Sequence, residues 1–280
     1  MTIIITHPGK AHRDEFVACC LVLAHDRAAG VVVEDIHRRE PAREELDDPD
    51  TWVIDVGGRY EPELLNFDHH QFDRDQEPQC AASMVFHHFG MADETIFPWL
   101  EVTRWIDSKG PFATAKEYDL SADTLFLLQS PVEAQMLQLF QEYAVVPKYL
   151  LRIMDIIGDG WVDYFRKRRA REKLLAECGS VFVVGQYSVF VNPAENDFAL
   201  GVEEYLRERH PTVAVVVSKD DRGPGMSLFR RNDHPSFDFS RLASDARIAF
   251  AHNGGFIAKT KAPLSATELK ELITKAIKGE

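Results

Sequence analysis

The chain has 280 residues, of which 45% are hydrophobic and 28% charged, and its net charge is −13 at pH 7. This composition is typical of a soluble globular protein with one large domain or two smaller ones, and no apolar run approaches the roughly 18–20 residues of a membrane span. Residues 1–180 hold 19 Lys and Arg against 32 Asp and Glu, whereas residues 181–280 hold 13 of each, so the acidity of the first part argues against electrostatic capture of long duplex nucleic acid.

The first part of the chain alternates strands with helices. The predicted strands are TIIIT, which ends at His7, then GVVVEDIHR and TWVIDVGG. The predicted helices are DEFVACCLVLAHDRAA, QCAASMVFHHFG (ended by Gly90), the later part of DETIFPWLEVTRWIDSKGP, and segments from about Pro131 to Tyr143 and from about Pro147. This alternation predicts an α/β fold with a mainly parallel sheet flanked by helices. Functional sites in such sheets lie at the carboxyl ends of the strands.

The second part predicts a smaller α/β domain. A charged, helix-prone segment, Tyr164–Ser180, is interpreted as a connecting helix, which gives domains at residues 1–163 and 181–280. SVFVVGQYSVFVN predicts two strands around a Gly-Gln turn, followed by a helix in ALGVEEYLRERHP. TVAVVVSKD, MSLFRRN and RIAFAH are further predicted strands, and SATELKELITKAIK is a closing helix with Ser265 as N-cap and Glu268 as its capping-box partner.

Cysteine usage and the N-terminus predict a cytoplasmic protein. The four cysteines, Cys19, Cys20, Cys80 and Cys178, form no CxxC pair and are interpreted as buried, reduced thiols. The N-terminal stretch lacks a basic region and a cleavage site, so we predict no signal peptide. We expect no membrane partner. The oligomeric state does not follow from the sequence, and a homodimer is left open.

Histidines and acids cluster in four short segments. They are His7, His12 and Asp14 in HPGKAHRDE, Asp55 in IDVGG, Asp68, His69 and His70 in NFDHHQF, and Asp107 in WIDSKGP. Adjacent residues of a strand point to opposite faces, so both histidines of NFDHHQF can serve one site only if the strand ends there. A strand-end Asp alone is more often a turn or cap residue. Imidazole and carboxylate groups together, without a thiolate, suit divalent ions such as Mn²⁺, and a pair of such ions stabilises charge on a phosphoryl oxygen.

These segments resemble a known superfamily. The DHH tripeptide at 68–70, after a strand-end Asp55 and a histidine–acid loop at 7–14, resembles the DHH phosphoesterases. DVGGRYEPELLNFDHHQ and HNGGFIA resemble the branch named for melanocyte proliferating gene one, a metal-dependent exonuclease family. The superfamily usually has D-x-D in its first motif, whereas this chain has His12-Arg13-Asp14. The resemblance implies two α/β domains with the active-site cleft between them.

The resemblance also implies roles for individual residues. It implies one metal held by His7, His12 and Asp55, and a second held by Asp14, Asp55, His69 and Asp107. Asp55 would bridge the two metals and act in catalysis together with His70, which faces the substrate phosphate, and Asp68, which orients an imidazole. Asp155 and Asp159 remain alternatives to Asp107.

Substrate-binding residues are expected in the second half. Paired glycines let backbone amides approach a phosphate, and the resemblance assigns this role to His252, Asn253, Gly254 and Gly255 in place of an ordinary turn. Arg230, Arg231 and Lys259 are candidate phosphate partners, because guanidinium and ammonium groups match phosphate. Surface charge without a ligand is the alternative for each of them.

The predicted function is a phosphodiesterase that depends on two Mn²⁺ ions, with Mg²⁺ or Co²⁺ as substitutes. We expect an exonuclease or oligonucleotide hydrolase that acts on short single-stranded oligonucleotides or small nucleotides through metal-activated water. One alternative is a small-molecule phosphatase or pyrophosphatase, and another is a non-catalytic regulatory protein that retains the fold. Preference for RNA or DNA, and the end that is attacked, do not follow from the sequence.

Overall fold

A computed structural model of the protein describes residues 2–73, 75–93, 95–128, 130–194 and 200–279. The chain divides into two compact units, Met1–Phe165 and Arg166–Glu280, here called the N-terminal and C-terminal units. Each has its own sheet and its own apolar core. This mixture of strands and helices confirms the predicted α/β class. The predicted domain limits, the smaller size of the second domain and the cleft between the domains stay predictions.

The N-terminal unit follows the predicted alternation. Its strands within the described ranges are β1 (Thr2–Thr6), β2 (Val33–Arg38), β3 (Thr51–Ile54), β4 (Tyr60–Glu61) and β5 (Asn66–Phe67). The helices that begin in it are α1 (Arg13–Ala28), α2 (Arg43–Leu46), α3 (Ala81–His88), α4 (Pro98–Lys109), α5 (Pro111–Glu117), α6 (Ala122–Leu127), α7 (Pro131–Gln141) and α8 (Lys148–Cys178). The short elements β4, α2, α5 and α6 had no counterpart in the sequence-based predictions.

The sheet of this unit is mainly parallel, with the strand order β2-β1-β3-β5-β4. Strands β1, β2, β3 and β5 run parallel, and β4 pairs with β5 in the antiparallel direction. Thr6 is paired with Ile54, and Ile54 with Phe67. Since parallel strands in this register end at one level, the three residues that follow them leave the sheet side by side.

Helix α1 is the centre of the N-terminal core. Most of its residues are buried, including the adjacent Cys19 and Cys20. Helix α8 packs closely against it at Gly158, where an added Cβ would lie 1.9 Å from the Cys20 carbonyl oxygen. Cys80 is also buried, but Cys178 is exposed, so the predicted burial is wrong for that cysteine. Cys178 is the last residue of α8, where the helix leaves the core.

The C-terminal unit is built on a mainly antiparallel sheet. Its strands are β6 (Ser180–Val184), β7 (Tyr187–Val191), β8 (Val213–Lys219), β9 (Met226–Arg230), β10 (Ile248–Ala251) and β11 (Ile257–Thr260), in the order β10-β11-β9-β8-β7-β6. The pair β7–β8 is parallel. The helices are α9 (Val202–Arg209) and α10 (Ala266–Ala276). Ser265 caps α10 and Glu268 completes the capping box, as predicted.

The structure changes one predicted helix boundary and adds one strand that was not predicted. The connecting helix predicted at Tyr164–Ser180 is the second half of α8, which runs unbroken from Lys148 to Cys178. The helix continues because no proline interrupts it. Gly158 lies inside it because the close packing there favours a residue without a side chain. Strand β11 was not predicted, since the glycines before it read as an open loop. The helix predicted in ALGVEEYLRERHP begins at Ala199, which lies outside the described residues.

In the part of the chain that is described, no helix combines the length and apolar composition needed to cross a bilayer.

Candidate metal centre

The carboxyl ends of three neighbouring strands bring the candidate ligands together. Strands β1, β3 and β5 end in register, and the residues that follow are His7, Asp55 and Asp68. The next two residues after Asp68 are His69 and His70. Because β5 ends at Phe67, both imidazoles can turn toward the same centre, and their ring centroids lie 4.7 Å apart.

Asp55 occupies the middle of this arrangement. Its backbone has a left-handed φ of 59°, a conformation that Asp tolerates better than most residues, and its amide donates to the Phe67 carbonyl at 2.9 Å. Its Oδ2 lies 3.5 Å from His7 Nε2, and its Oδ1 lies 3.2 Å from His69 Nε2. One carboxylate therefore faces imidazoles on two sides, as a bridging ligand must.

Two helices supply the remaining members of the cluster. Helix α1 begins beside the sheet edge and contributes His12, its N-cap, and the fully buried Asp14. Asp14 Oδ2 accepts a hydrogen bond from the Ala81 amide at 3.2 Å. Helix α4 contributes Asp107, whose Oδ2 lies 2.6 Å from His69 Nε2 and whose Oδ1 lies 3.9 Å from His12 Nδ1.

The side chains form three overlapping groups with metal-ligand spacing. The groups are His7, His12 and Asp55; Asp14, Asp55, His69 and Asp107; and Asp55, His69 and His70. Within each group, one ligand atom per residue lies within 4.8 Å of the others. Asp55 belongs to all three groups, and the first two match the ligand sets that the resemblance implied.

Several ligand atoms are buried without a hydrogen-bond partner among the described residues. They are His7 Nε2, Asp14 Oδ1 and Asp55 Oδ2. Unpaired buried polar atoms are rare because each one costs about 1–3 kcal/mol. His7 Nδ1 lies 2.7 Å from the Pro8 carbonyl, which is a hydrogen-bond acceptor and so keeps the proton on Nδ1 and the lone pair on Nε2. This donor set fits divalent metal ions of the kind that imidazole and carboxylate ligands bind.

The pKa shifts of Asp14 and His69 are also those expected where a cation binds. Burial raises the pKa of Asp14 well above its usual range, and the nearby Asp55 and Asp107 carboxylates raise it further. Burial alone would lower the pKa of His69, but Asp107 and Asp55 outweigh this effect and raise it to about 10. In the metal-free protein a proton on His69 neutralises these carboxylates, and a bound cation would take the place of that proton.

Sequence reasoning missed two residues behind the cluster, Glu15 and Arg38. Glu15 is fully buried, and its Oε1 lies 3.2 Å from His7 Nε2. It accepts hydrogen bonds from the Thr6 hydroxyl at 2.7 Å, the His12 amide at 3.0 Å and Arg38 Nη2 at 3.1 Å. An acid three residues after an N-cap is a capping-box signal that could have identified Glu15. Arg38 carries no such signal, because β1–β2 pairing alone brings it here.

Asp68 and His70 stand at the solvent side of the cluster. Asp68 is buried, and its carboxylate accepts from the His70 amide at 3.0 Å and the Gly58 amide at 2.6 Å, with His70 Nδ1 at 2.7 Å. Burial would raise the pKa of Asp68, but these hydrogen bonds lower it to about 2. The His70 side chain is 63% exposed. The geometry thus has Asp68 orienting His70, while the roles predicted for them stay predictions.

The structure distinguishes Asp107 from Asp155 and Asp159, the two alternative metal ligands. Asp155 Oδ1 accepts from Arg27 Nε at 2.8 Å, and its Oδ2 accepts from Arg152 Nη1 at 2.6 Å. Asp159 forms an ion pair with Arg27. Both acids lie outside the three ligand groups, whereas Asp107 lies within one of them.

The two arginines predicted to bind substrate phosphate contact other groups of the C-terminal unit. Arg231 is buried and donates to the Glu203 carboxylate and to the Pro211 carbonyl. Arg230 is buried too, and donates to the Phe237 carbonyl and to Asp233. These contacts occupy part of each guanidinium group, and phosphate binding by Arg230 and Arg231 stays a prediction. For Arg231 the sequence could not show these partners, because Glu203 and Pro211 lie 28 and 20 residues away along the chain.

The HNGG segment forms the turn of the β10–β11 hairpin. The Gly255 amide donates to the His252 carbonyl at 2.8 Å, and the Gly254 amide donates to His252 Nδ1 at 2.9 Å. Gly255 has a φ of +68°, and an added Cβ would lie 2.2 Å from Asp238 Oδ1, so a glycine is required there. Lys259 forms ion pairs with Asp220 and Asp221. Substrate binding by His252, Asn253, Gly254, Gly255 and Lys259 stays a prediction.

Fold and site together define an α/β protein with a buried histidine–carboxylate cluster of the kind that holds divalent metal ions. Residues 3–101 match the family model MYG1_exonuc, described as an uncharacterised protein family (UPF0160). This match confirms the resemblance that was predicted from the motifs of the N-terminal part. The matched range, residues 3–101, includes the loop at 7–14, Asp55 and the DHH tripeptide, but not Asp107.

Two of the curated relatives each match less than a third of the chain. A MYG1 exonuclease of Mus musculus is 35% identical over a 97-residue alignment, which covers 30% of this chain and 24% of that protein. A MYG1 protein of Chlamydia trachomatis serovar D is 40% identical over 68 residues, 24% of this chain and 21% of that protein. The matched segment thus spans about a quarter of the length of these relatives.

Similar solved structures show low identity. A pGpG-specific phosphodiesterase, PggH of Vibrio cholerae, is 14% identical over 99% of each chain with a TM-score of 0.33. RecJ of Thermus thermophilus, solved with Mn²⁺, is 12% identical over 98% of this chain and 51% of its own, with a TM-score of 0.29. TM-scores below 0.5 do not define a shared fold.

Proposed function

We propose that this protein is a divalent-metal-dependent phosphodiesterase, an exonuclease or oligonucleotide hydrolase that acts on short single-stranded nucleic acid or small nucleotides. The observation that carries the proposal is the convergence of buried, unpaired ligand atoms on Asp55. The name of the mouse relative, an exonuclease, supports the choice of reaction. We propose Mn²⁺ as the ion, with Mg²⁺ or Co²⁺ as substitutes, since the ligands are imidazole and carboxylate groups.

The proposed ligands divide into two sets around Asp55. His7, His12 and Asp55 would hold one ion, and Asp14, Asp55, His69 and Asp107 would hold the other. When bound, such ions supply an activated water and neutralise the charge that develops on the phosphoryl oxygens. The hydrogen bonds that hold the Asp14 and Glu15 carboxylates keep the neighbouring ligands in place before substrate arrives.

His70 is the residue proposed to meet the substrate phosphate. Asp68 accepts the Nδ1 proton of His70, and this hydrogen bond raises the His70 pKa. When protonated, His70 would donate from Nε2 to a phosphate oxygen at the solvent-exposed side. An open cavity of about 430 Å³, lined by His7, His12, Asp55 and His70 among others, provides room for that phosphate.

The proposal is tested by replacing the bridging carboxylate. Metal-free wild type and Asp55→Asn are titrated with Mn²⁺ in the calorimeter, and hydrolysis is measured on fluorescent oligonucleotides of several lengths, a dinucleotide and pyrophosphate. We expect Asp55→Asn to lose tight Mn²⁺ binding and measurable turnover while its circular dichroism is unchanged. Asp159→Asn is the matched control, because this acid is ion-paired with Arg27 outside the cluster.

The outcomes separate the alternatives. Wild-type turnover in Asp55→Asn would contradict the metal-dependent reaction. Hydrolysis of pyrophosphate without hydrolysis of oligonucleotides would favour a small-molecule phosphatase. If Mn²⁺ binds but no phosphate substrate is cleaved, the chain is a binding or regulatory protein that retains the fold. A cytoplasmic location is a further part of the proposal, and a homodimer is compatible with it.

A further inference from the structure

A second cavity adjoins the metal centre within the N-terminal unit. It measures about 530 Å³, and three of its lining residues, His12, Asp14 and Asp107, belong to the ligand groups. Its other walls come from α4, α6, α7 and the loop before α1. Of the residues that line it, only His12 also lines the 430 Å³ cavity described above. The metal centre therefore has two separate cavities beside it.

The chemistry of the second cavity suits a flat heterocycle. Apolar side chains line it from three helices: Ile106 of α4, Leu125 of α6 and Leu137 of α7. Phe126, which is 47% exposed, also lines it and offers an aromatic ring. Gln138 and Gln141 add two exposed amides that both donate and accept hydrogen bonds. Aromatic stacking together with amide hydrogen bonds to base edges is how proteins bind unpaired nucleobases.

The charges around the cavity fit one nucleotide unit. Arg13 forms an ion pair with Glu133, so its charge is balanced inside the wall. Lys10 is exposed among the lining residues and can meet a phosphate. Gln141 accepts a hydrogen bond from the Ala11 amide at 3.4 Å, which ties α7 to the loop that carries His12. The volume lies within the roughly 300–1,000 Å³ of small-molecule sites.

We infer that this cavity is a nucleobase subsite, which holds the base next to the phosphate at the metal centre. The inference rests on the proposed function and adds to it a substrate class, a nucleotide chain with an unpaired base at this position. The α7 wall would then decide which base is preferred, since the amides of Gln138 and Gln141 discriminate among base edges.

The test fills the cavity from one helix and uses the opposite face of that helix as its control. Ala134 lines the cavity and is exposed, whereas Val132, two residues earlier on α7, is 72% exposed and is not among the lining residues. Two residues turn an α-helix by about 200°, so Ala134→Trp and Val132→Trp place the same side chain on opposite faces. Binding of a phosphorothioate-linked diadenosine dinucleotide is measured by calorimetry with Mn²⁺, with ribose 5-phosphate as the probe that lacks a base.

We expect Ala134→Trp to weaken dinucleotide binding about tenfold or more, the size expected for losing one stacked base, while Val132→Trp binds it like wild type. Ribose 5-phosphate and Mn²⁺ should bind equally to all three proteins. Equal dinucleotide binding by Ala134→Trp and wild type would overturn the inference. The inference would also be overturned if wild type did not bind the dinucleotide. Equal weakening of both probes in Ala134→Trp would overturn it too, because that result would mean a disturbed metal centre.

A second variant tests the amide. Gln138→Leu keeps the size of the side chain and removes its hydrogen bonds, so the ratio of affinities for adenine-containing and uracil-containing dinucleotides should change, and an unchanged ratio would count against the subsite. Hydrolysis of the corresponding phosphodiester dinucleotides is followed in parallel. Cleavage that is insensitive to Ala134→Trp would refute the subsite and leave the proposed function standing. Base-dependent binding without cleavage would refute the function and leave the subsite standing.

Discussion

The buried ion pair behind the metal centre makes a sharp prediction about stability. The Arg38 side chain is 2% exposed, and its Nη2 donates to Glu15 Oε1 at 3.1 Å. Its Nη1 donates to the Gly9 carbonyl at 3.1 Å, and its Cζ lies 4.8 Å from the Phe140 ring centroid. In Arg38→Met the apolar stem keeps much of its packing, but Glu15 is left as a buried carboxylate without its cation.

The expected cost is about 3–5 kcal/mol, the range for removing one partner of a buried pair. Most of this cost is the stranded charge, because the Thr6 hydroxyl and the His12 amide, which still donate to Glu15, are neutral groups. Neutralising that charge in the double variant Arg38→Met/Glu15→Gln should therefore restore about 0.5–3 kcal/mol, the usual coupling between contacting residues. The double variant should also bind Mn²⁺ more weakly than wild type, since Glu15 lies 3.2 Å from His7 Nε2.

The assay is urea unfolding of the metal-free protein at pH 7, followed by tryptophan fluorescence. Arg39→Met is the matched control: it removes the same charge from the next residue, whose side chain is 42% exposed and bonded to Glu45. Exposed pairs contribute about 0–1 kcal/mol, so this control should lose little. If Arg38→Met also lost less than about 1 kcal/mol, the pair would not be the buried charge pair that the structure shows.

Two further predictions concern protons and packing. The folded pKa of His69, about 10, lies above its usual value of 6.5, so its contribution to the stability of the metal-free protein is complete below about pH 6.5 and is lost as the pH rises toward 10. Because Mn²⁺ must displace that proton, the rise in thermal midpoint with Mn²⁺ should increase between about pH 6.5 and 8, and a rise independent of pH would contradict this. Gly158→Ala should destabilise the fold by at least about 1–3 kcal/mol, because its Cβ would lie 1.9 Å from a Cys20 backbone oxygen. Gly160→Ala in the same helix, with nothing within 4 Å of the added Cβ, should be neutral or stabilise by up to about 1 kcal/mol, and equal melting temperatures for the two would refute the packing argument.

The resemblance to the family whose model matches residues 3–101 was readable from short sequence segments. Strand ends at His7, Asp55 and Asp68 followed from apolar runs that stop at polar residues and glycines, and parallel strands meet at one edge of a sheet. The N-cap at Ser265 was readable for the same reason, because its signal lies within four consecutive residues. Such features depend on neighbours in the chain, so no tertiary information is needed to find them.

Tertiary structure decided the features that depend on distant segments. Asp107, Asp155 and Asp159 all read as acids on helices, and only packing shows that Asp107 lies 2.6 Å from His69 while Arg27 pairs with both others. Arg231 reads as a free cation until Glu203, 28 residues away, is seen to bond it.

The role of Arg38 likewise appears only when β2 pairs with β1 and brings its guanidinium to Glu15. The sequence by itself determined which residue types gather at the ends of the strands, since local patterns end strands and begin helices. It could not determine which charges remain free to bind a ligand, because neutralisation of a charge depends on groups that the fold brings from elsewhere in the chain.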